Sequence, residues 1–231
     1  VLYTRYGPFT PIYRRDRLGL PHLQVRLPNG SLIDDSYLLA HQPPPGVSIP
    51  FVVIPNKYEL QTNELFGPGY RILSVLRETA KGSSFVALDM RSQDQVALHF
   101  LKQGRRHCMS DRFGRDVRWR LQRELAHHQL LSGIKGFPEA KDYFQINGDG
   151  YLALEYLEGV AIDTVVDNTL KSRPWASLPP SDRSSLLRHM LDLIDIVAAM
   201  HMRGLVHRDI SASNVIVNAN GGIHLLDLEM A

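Results

Sequence analysis

The sequence predicts an α+β fold in which a five-stranded antiparallel sheet is followed by the start of a helical part. Five strand-like runs are separated by short polar turns or by one helix, and they cover residues 70–75, 84–89, 95–102, 142–146 and 151–156. The intervening helix is predicted over 115–132 and ends at Gly133. A second, amphipathic helix is predicted over 182–203, because apolar residues recur there at three-and-four spacing up to Gly204.

A polar loop follows the second helix and carries the residues that are most informative about chemistry. His207-Arg208-Asp209 precedes Asn214, and a predicted hairpin over 215–226 leads into Asp227. In the protein-kinase pattern, the Asp of H-R-D accepts the proton of the substrate hydroxyl, and the later Asn and Asp hold magnesium. Asp209 and Asn214 are therefore predicted to be catalytic, and Asn214 and Asp227 to bind Mg²⁺. The order of helix, loop, hairpin and aspartate predicts a protein-kinase-like fold that uses ATP.

The turn between the first two strands of the predicted sheet is expected to lie over the phosphates of ATP. The turn follows Leu76 and keeps only Gly82 of the three glycines that the protein-kinase pattern has there. Fewer glycines give the backbone amides less freedom to approach phosphates closely. We therefore predict that Lys81 adds a cation at this turn, and we assign Leu76, Lys81 and Gly82 to the nucleotide site.

Adenine is expected to bind where the fifth strand of the sheet ends. Residues 154–159 read L-E-Y-L-E-G and occupy the place of the hinge in the protein-kinase order. Main-chain groups of Glu155 and Leu157 are predicted to pair with adenine. Ile216, on the strand after the catalytic loop, is predicted to lie beneath the base.

Two registers of the third strand compete to supply the residue that anchors the phosphates. Residues 96–99 imitate the V-A-I-K pattern but place His99 where lysine is expected. Residues 99–102 supply Lys102 but place a bulky phenylalanine over the adenine. The registers differ by three residues, so they point opposite side chains at the nucleotide. Lys102 is favoured, with Glu124 as its predicted ion-pair partner. If His99 were the anchor, phosphoryl transfer would fall as pH rises through the histidine pKa.

Composition narrows the function only loosely. The chain has 231 residues, of which 44% are hydrophobic and 22% charged, and its net charge of +2 indicates no broad nucleic-acid or membrane surface. No apolar run reaches the roughly 18 residues that a membrane span needs. Cys108 is the single cysteine, which excludes an internal disulfide framework and agrees with a cytoplasmic location. The histidines and this cysteine show no zinc-ligand spacing.

Several segments together resemble one family of peptide-modifying enzymes. The catalytic loop reads D-I-S before N-V, and the magnesium aspartate opens D-L-E rather than D-F-G. Residues 101–107 are similar to an L-K-x-x-R-x-H tract, and residues 5–9 to an R-Y-G-x-F segment. L-P-N-G at 27–30 and the Pro-rich 42–50 resemble a bridge between domains. With these motifs, the chain resembles the class III and class IV lanthipeptide synthetases, from the end of the lyase domain into the kinase-like domain.

The resemblance implies three regions and a reaction sequence. Residues 1–68 would be the end of a lyase-like domain and a Pro-rich linker, residues 69–158 the kinase small lobe, and residues 159–231 the start of the large lobe. The full-length protein would phosphorylate Ser and Thr of a ribosomal precursor peptide with ATP. A lyase domain would then eliminate phosphate, and a cyclase domain would form thioether rings. The expected partners are the precursor peptide and those further domains, with no nucleic acid and no membrane.

Two other functions compete with this interpretation. Aminoglycoside and choline phosphotransferases also lack the lysine that Ser211 replaces in the loop, but the motifs in the first 68 residues have no place in such enzymes. A non-catalytic module that binds nucleotide or leader peptide would explain the glycine-poor turn. The presence of Asp209, Asn214 and Asp227 counts against that module.

The end of the chain leads to an expectation about stability. We interpret the sequence as a piece of a longer polypeptide, because it stops soon after Glu229. Residues 205–231 are then expected to have little to pack against. The long helix is expected to expose Leu187, Leu191 and Ile194, and the isolated chain to be inactive and poorly stable or aggregated.

Overall fold

A computed structural model describes residues 6, 10–15, 21–35, 44–48, 65–91 and 96–231. The chain divides into two compact units, residues 1–60 with 78–80 and residues 61–77 with 81–231. The predicted region boundaries at residues 68 and 158 stay predictions. None of the described helices is long and apolar enough to cross a membrane.

The first unit contains a small antiparallel sheet. Its strands are β1 (Ile12–Arg15), β2 (Pro21–Arg26) and β3 (Leu32–Asp34), in the order β1-β2-β3. The turn between β2 and β3 is tight, and Gly30 there has a φ of 85°, which glycine adopts at little cost. Most of the R-Y-G-x-F segment at 5–9 and parts of the Pro-rich bridge at 42–50 lie outside the described residues.

Except for residues 78 and 79 at the end of its first strand, the five-stranded sheet that the sequence predicts belongs to the second unit. Its strands are β4 (Tyr70–Thr79), β5 (Gly82–Asp89), β6 (Ala97–Gly104), β7 (Ala140–Ile146) and β8 (Asp149–Glu155), in the order β4-β5-β6-β8-β7. Helix α1 (Val117–Leu130) lies between β6 and β7 in the chain. It begins after Asp116, whose side chain accepts a hydrogen bond from the backbone N–H of Arg118. The predicted α+β, protein-kinase-like fold is confirmed.

The two faces of this sheet bury different side chains. One face carries a core of Tyr70, Ala87, Leu101 and Ala153. The other face packs against α1, and its core consists of Val117, Leu121, Leu152 and Leu154. Neighbouring residues of a strand point to opposite faces. Lys102 follows Leu101 and pairs with Leu152 across the sheet, so it lies on the face that α1 covers.

The rest of the second unit is helical, with one small sheet. It contains β9 (Gly159–Ala161), α2 (Ile162–Leu170), α3 (Pro180–Met202), β10 (Val215–Asn218) and β11 (Ile223–Leu225). The sheet has the order β11-β10-β9. Helix α3 begins two residues earlier than predicted, because Pro180 is well suited to the first turn of a helix. The predicted end of this helix at Gly204 and the hairpin after the catalytic loop are confirmed.

The expectation that residues 205–231 would have little to pack against is wrong. Val215, Leu225 and Leu228 are fully buried in a core that also contains Ile196 and Met200 of α3. This core forms because α3 turns one apolar stripe toward the β10–β11 hairpin. The expected exposure of the other stripe is confirmed, since Leu187, Leu191 and Ile194 are 54%, 61% and 61% exposed.

Candidate active site

Lys102 is the centre of a partly buried group of charged side chains. Its Nζ lies 2.8 Å from Oε2 of Glu124 and 2.7 Å from Oδ1 of Asp227. Lys102 is on β6 and Glu124 is on α1, so the packing of this helix on the sheet brings the pair together. Asp227 follows β11 and is 125 positions further along the chain. The predicted ion-pair partner and the predicted metal ligand therefore contact the same ammonium group.

Burial and charge act against each other in this cluster. Burial disfavours the Lys102 ammonium, but the negative charges of Glu124, Asp227 and Glu229 outweigh it and raise the pKa of Lys102. Burial raises the pKa of Glu124, and the charge of Lys102 offsets only part of that effect. Burial acts in the same direction on Asp227, but the charge and hydrogen bond of Lys102 outweigh it and lower the pKa of Asp227. Lys102 and Asp227 are thus a charged pair, and Glu124 depends on Lys102 for its own charge.

His99 lies on the opposite face of β6 from Lys102. Its ring is 5.7 Å from the ring of Tyr70, and its Nδ1 is 3.8 Å from Oδ2 of Asp89. Burial lowers the pKa of His99, which disfavours its charged form, although the charge of Asp89 acts against this. β5 and β6 pair from Ser84 to Asp89 without a bulge, so the alternation of side chains separates His99 from Lys102.

The predicted catalytic loop is held in place by hydrogen bonds of His207 and Asn214. Nε2 of the buried His207 donates to the carbonyl oxygen of Leu226, which can only accept, at 2.8 Å. Nδ1 therefore accepts the backbone N–H of Asp209, at 3.2 Å. The side-chain amide of Asn214 donates to the carbonyl oxygen and to Oδ2 of Asp209, at 2.9 and 3.2 Å. These bonds fix both the backbone and the carboxylate of Asp209.

The same loop is connected to the segment that carries Asp227. The backbone N–H of Leu226 donates to the carbonyl oxygen of Asn214 at 2.8 Å. Asp227 itself has a φ of 62°, and Arg208 a φ of 64°. Such left-handed backbone is costly for a residue other than glycine and is typical of sites where function fixes the conformation. Two of the predicted functional segments therefore contain strained backbone.

The residues predicted to bind adenine lie at and just beyond the end of β8 and on β10. The backbone N–H of Glu155 donates to the carbonyl oxygen of Glu139, and Leu157 is half-buried just beyond the strand. Ile216 of β10 lies against Gly159, where an added Cβ would be 2.4 Å from the Ile216 Cγ2 atom. This close approach requires glycine, so the hinge segment and Ile216 are in direct contact.

The predicted phosphate turn is tied to β6. A Cβ added to Gly82 would lie 1.9 Å from the carbonyl oxygen of Gln103, so only glycine fits there. The carbonyl oxygen of Lys81 accepts the backbone N–H of Arg105 at 2.8 Å. Leu76, on β4, is 52% exposed.

Sequence reasoning did not assign Glu229 and Arg120 to the site. Glu229 is buried, and its carboxylate pairs with Lys81 at 2.7 Å and with Arg120 at 3.4 Å. Its place after Asp227, where the protein-kinase pattern has glycine, was the available signal. Arg120 on α1 gave no comparable signal.

No family model matches the chain. A probable SapB synthase from Streptomyces coelicolor is 27% identical over 237 residues, which cover 100% of the chain and 25% of that protein. The chain resembles a lanthipeptide-type synthase over its whole length. This similarity confirms the predicted resemblance to the class III and class IV synthetases.

Kinases form the second group of relatives. A putative cyclin-dependent kinase F-2 from Oryza sativa subsp. japonica is 30% identical over 162 residues, or 70% of the chain and 47% of that kinase. The serine/threonine-protein kinase PksC from Streptomyces coelicolor is 27% identical over 165 residues, or 71% of the chain and 28% of that kinase. The chain thus contains a kinase-like domain and spans between a quarter and about half of the length of these relatives.

Proposed function

We propose that the chain is the nucleotide-binding part of an ATP-dependent Ser/Thr kinase domain in a lanthipeptide synthetase. The observation that carries this proposal is the contact of Lys102 with both Glu124 and Asp227. A lysine held by a helix glutamate beside a metal-binding aspartate is the arrangement that protein kinases use for phosphoryl transfer.

ATP would bind between the five-stranded sheet and the catalytic loop. Lys102 would contact its phosphates, because the ammonium group keeps its charge while it is held by Glu124. Glu155 and Leu157 would pair with adenine through main-chain groups, and Ile216 would support the base from below. The contact of Ile216 with the hinge glycine supports this assignment.

The oxygen atoms of Asn214 and Asp227 suit a magnesium ion. Mg²⁺ prefers hard oxygen ligands and is usually held by one or two protein groups together with substrate phosphates. The amide nitrogen of Asn214 donates to Asp209, so the amide oxygen of Asn214 remains as a ligand for the metal. Across the described residues there is no cluster of three or more His, Cys, Asp or Glu that could hold a metal. Bound Mg²⁺ would neutralise charge on the transferred phosphoryl group.

Asp209 would act as the general base on the hydroxyl of the substrate. His207 holds its backbone and Asn214 holds one oxygen of its carboxylate, so the other oxygen remains to accept a proton. Asp209 is exposed, as a base that meets a peptide hydroxyl needs to be. The proton would move from the Ser or Thr hydroxyl to Asp209 while the oxygen attacks the γ-phosphorus of ATP, and the bond from that phosphorus to the β–γ bridging oxygen would break to release ADP.

The substrate would be a ribosomal precursor peptide, and this step rests on the similarity of the whole chain to a quarter of the probable SapB synthase. The phosphorylated side chain would then lose phosphate in the lyase domain to give dehydroalanine or dehydrobutyrine. A cyclase domain would add cysteine thiols to these residues and form thioether rings.

The test is phosphoryl transfer to the precursor peptide by the full-length protein, followed by mass spectrometry. Asp209→Asn should reduce transfer by about 10²- to 10⁴-fold, the usual contribution of a general base, and should leave ATP binding intact. Transfer to a small amino alcohol or aminoglycoside, with none to the peptide, would contradict the proposal. Undiminished transfer by Asp209→Asn would contradict the role of this residue.

A further inference from the structure

Three cations converge on one buried carboxylate next to the proposed nucleotide site. Glu229 is 6% exposed. Its Oε2 lies 2.7 Å from Nζ of Lys81 and 3.6 Å from Nζ of Lys102, and its Oε1 lies 3.4 Å from Nη1 of Arg120. Glu229 is therefore held by cations from three separate elements.

These cations belong to the turn, the sheet and the helix that surround the proposed phosphate position. Lys81 is in the β4–β5 turn, Lys102 is on β6 and Arg120 is on α1. Glu229 is in a short 3-10 turn directly after Asp227. The backbone at Lys81 is already fixed to β6 through Arg105. The contact with Glu229 then fixes the far end of the Lys81 side chain as well.

This arrangement can compensate for the two glycines that the turn lacks relative to the protein-kinase pattern. A glycine-rich turn offers backbone amides to phosphates, and Gly82 alone cannot do this for the whole turn. A lysine side chain can supply the missing positive charge, but a free lysine loses rotamer entropy when it binds. A lysine that is already held in place pays less of this cost. The ammonium group has three donors, so Lys81 can keep its bond to Glu229 while it binds a phosphate oxygen.

We propose that Glu229 is a positioning residue, which holds Lys81 as a second phosphate-binding cation beside Lys102. This inference rests on the proposed ATP-dependent function and adds a residue to it. Glu229 acts through Lys81 and does not itself touch the nucleotide. Its removal therefore weakens the binding of phosphates and leaves the binding of the base unchanged.

The experiment is calorimetry of the full-length protein with a non-hydrolysable ATP analogue and Mg²⁺, and with adenosine. Glu229→Gln should weaken binding of the ATP analogue by about tenfold, the factor that corresponds to ordering one lysine side chain. Adenosine affinity should not change. Lys81→Ala should have at least the same effect, and Glu229→Gln should add little to it, because Glu229 acts mainly through Lys81, to which it lies nearer than to Lys102.

Glu139→Gln is the matched control, because it removes the same charge from a different lysine pair. Glu139 is 60% exposed and its carboxylate pairs with Lys141, outside the Glu229 cluster. Its affinity for the ATP analogue should equal that of the wild type. If Glu229→Gln proves unfolded by its thermal melt, Glu229→Asp and Lys81→Ala replace it. Lys81 is 36% exposed, so its truncation is compatible with folding.

The outcomes separate this inference from the proposed function. A wild type that binds no nucleotide would overturn both. A wild type that binds the ATP analogue, with a Glu229→Gln variant that binds it equally well or more tightly, would overturn the positioning role alone. An additive loss in the double variant would also overturn it, because Glu229 would then act independently of Lys81.

Discussion

Replacing Lys102 by methionine should leave the buried carboxylate of Glu124 without its counter-ion. Glu124 is 1% exposed, and Lys102 is the cation that donates to it, at 2.8 Å. Removing one partner of a buried ion pair costs about 3–5 kcal/mol, because the other charge stays desolvated. Whole domains are stable by only about 5–15 kcal/mol, so the local structure around α1 should open far more often.

The loss of stability should depend on pH, because a protonated Glu124 carries no charge and so avoids the cost of burying one. Burial raises the pKa of Glu124, and in Lys102→Met no charge offsets that effect. A carboxyl group whose folded pKa lies above its unfolded value contributes stability below the unfolded pKa, and this stability is lost as pH rises through the folded pKa. The stability of the variant should therefore be closest to that of the wild type near about pH 5, and the difference in stability should grow as pH approaches 8.

The assay is hydrogen exchange of the full-length protein, read from peptides that cover α1 and β6. Lys102→Met should lose protection from exchange in these peptides. After correction for the intrinsic exchange rate, the loss of protection should be larger near about pH 8 than near about pH 5. Adding Glu124→Leu should restore much of the protection, since an apolar pair can replace a buried ion pair at little cost. Protection equal to the wild type at every pH, or no recovery in the double variant, would refute the reasoning.

Three further outcomes follow from the described contacts. Gly159→Ala should destabilise β9 by about 1–3 kcal/mol, because its Cβ would meet Ile216 at 2.4 Å; unchanged hydrogen exchange there would contradict this. Phosphoryl transfer should not fall between about pH 6 and 8, since the raised pKa keeps Lys102 charged; a fall in that range would favour His99 instead. The isolated 231-residue chain should aggregate through the exposed stripe of α3, and a sharp, cooperative melt of a monomer would show otherwise.

The elements that the sequence predicts well are those with a strong local signal. Helix α3 has apolar spacing from Leu186 onward and a glycine just beyond its end, and the structure agrees. The β10–β11 hairpin was predicted from two short apolar runs around a turn. The succession along the chain of three strands, α1 and two further strands was also predicted from short apolar runs between polar turns. What failed was the expected lack of packing for residues 205–231, because burial against α3 depends on tertiary contacts.

The site was predicted in part, for a related reason. Asp209 and Asn214 are close in sequence, so a local motif was enough to place both in one loop. The choice between His99 and Lys102 stayed open because alternation along a strand tells which residues share a face, and not which face meets α1. The Lys81–Glu229 contact joins residues 148 positions apart, and no local pattern reports such a contact.

The central claim is that Lys102 and Asp227 form a magnesium-dependent ATP site. Calorimetry of MgATP binding to the full-length protein tests it most directly, with Lys102→Ala, Asp227→Ala and His99→Ala as variants. The wild type and His99→Ala should bind MgATP, and Lys102→Ala and Asp227→Ala should not. Absence of ATP and GTP binding in the wild type, or loss in His99→Ala with retention in Lys102→Ala, would contradict it.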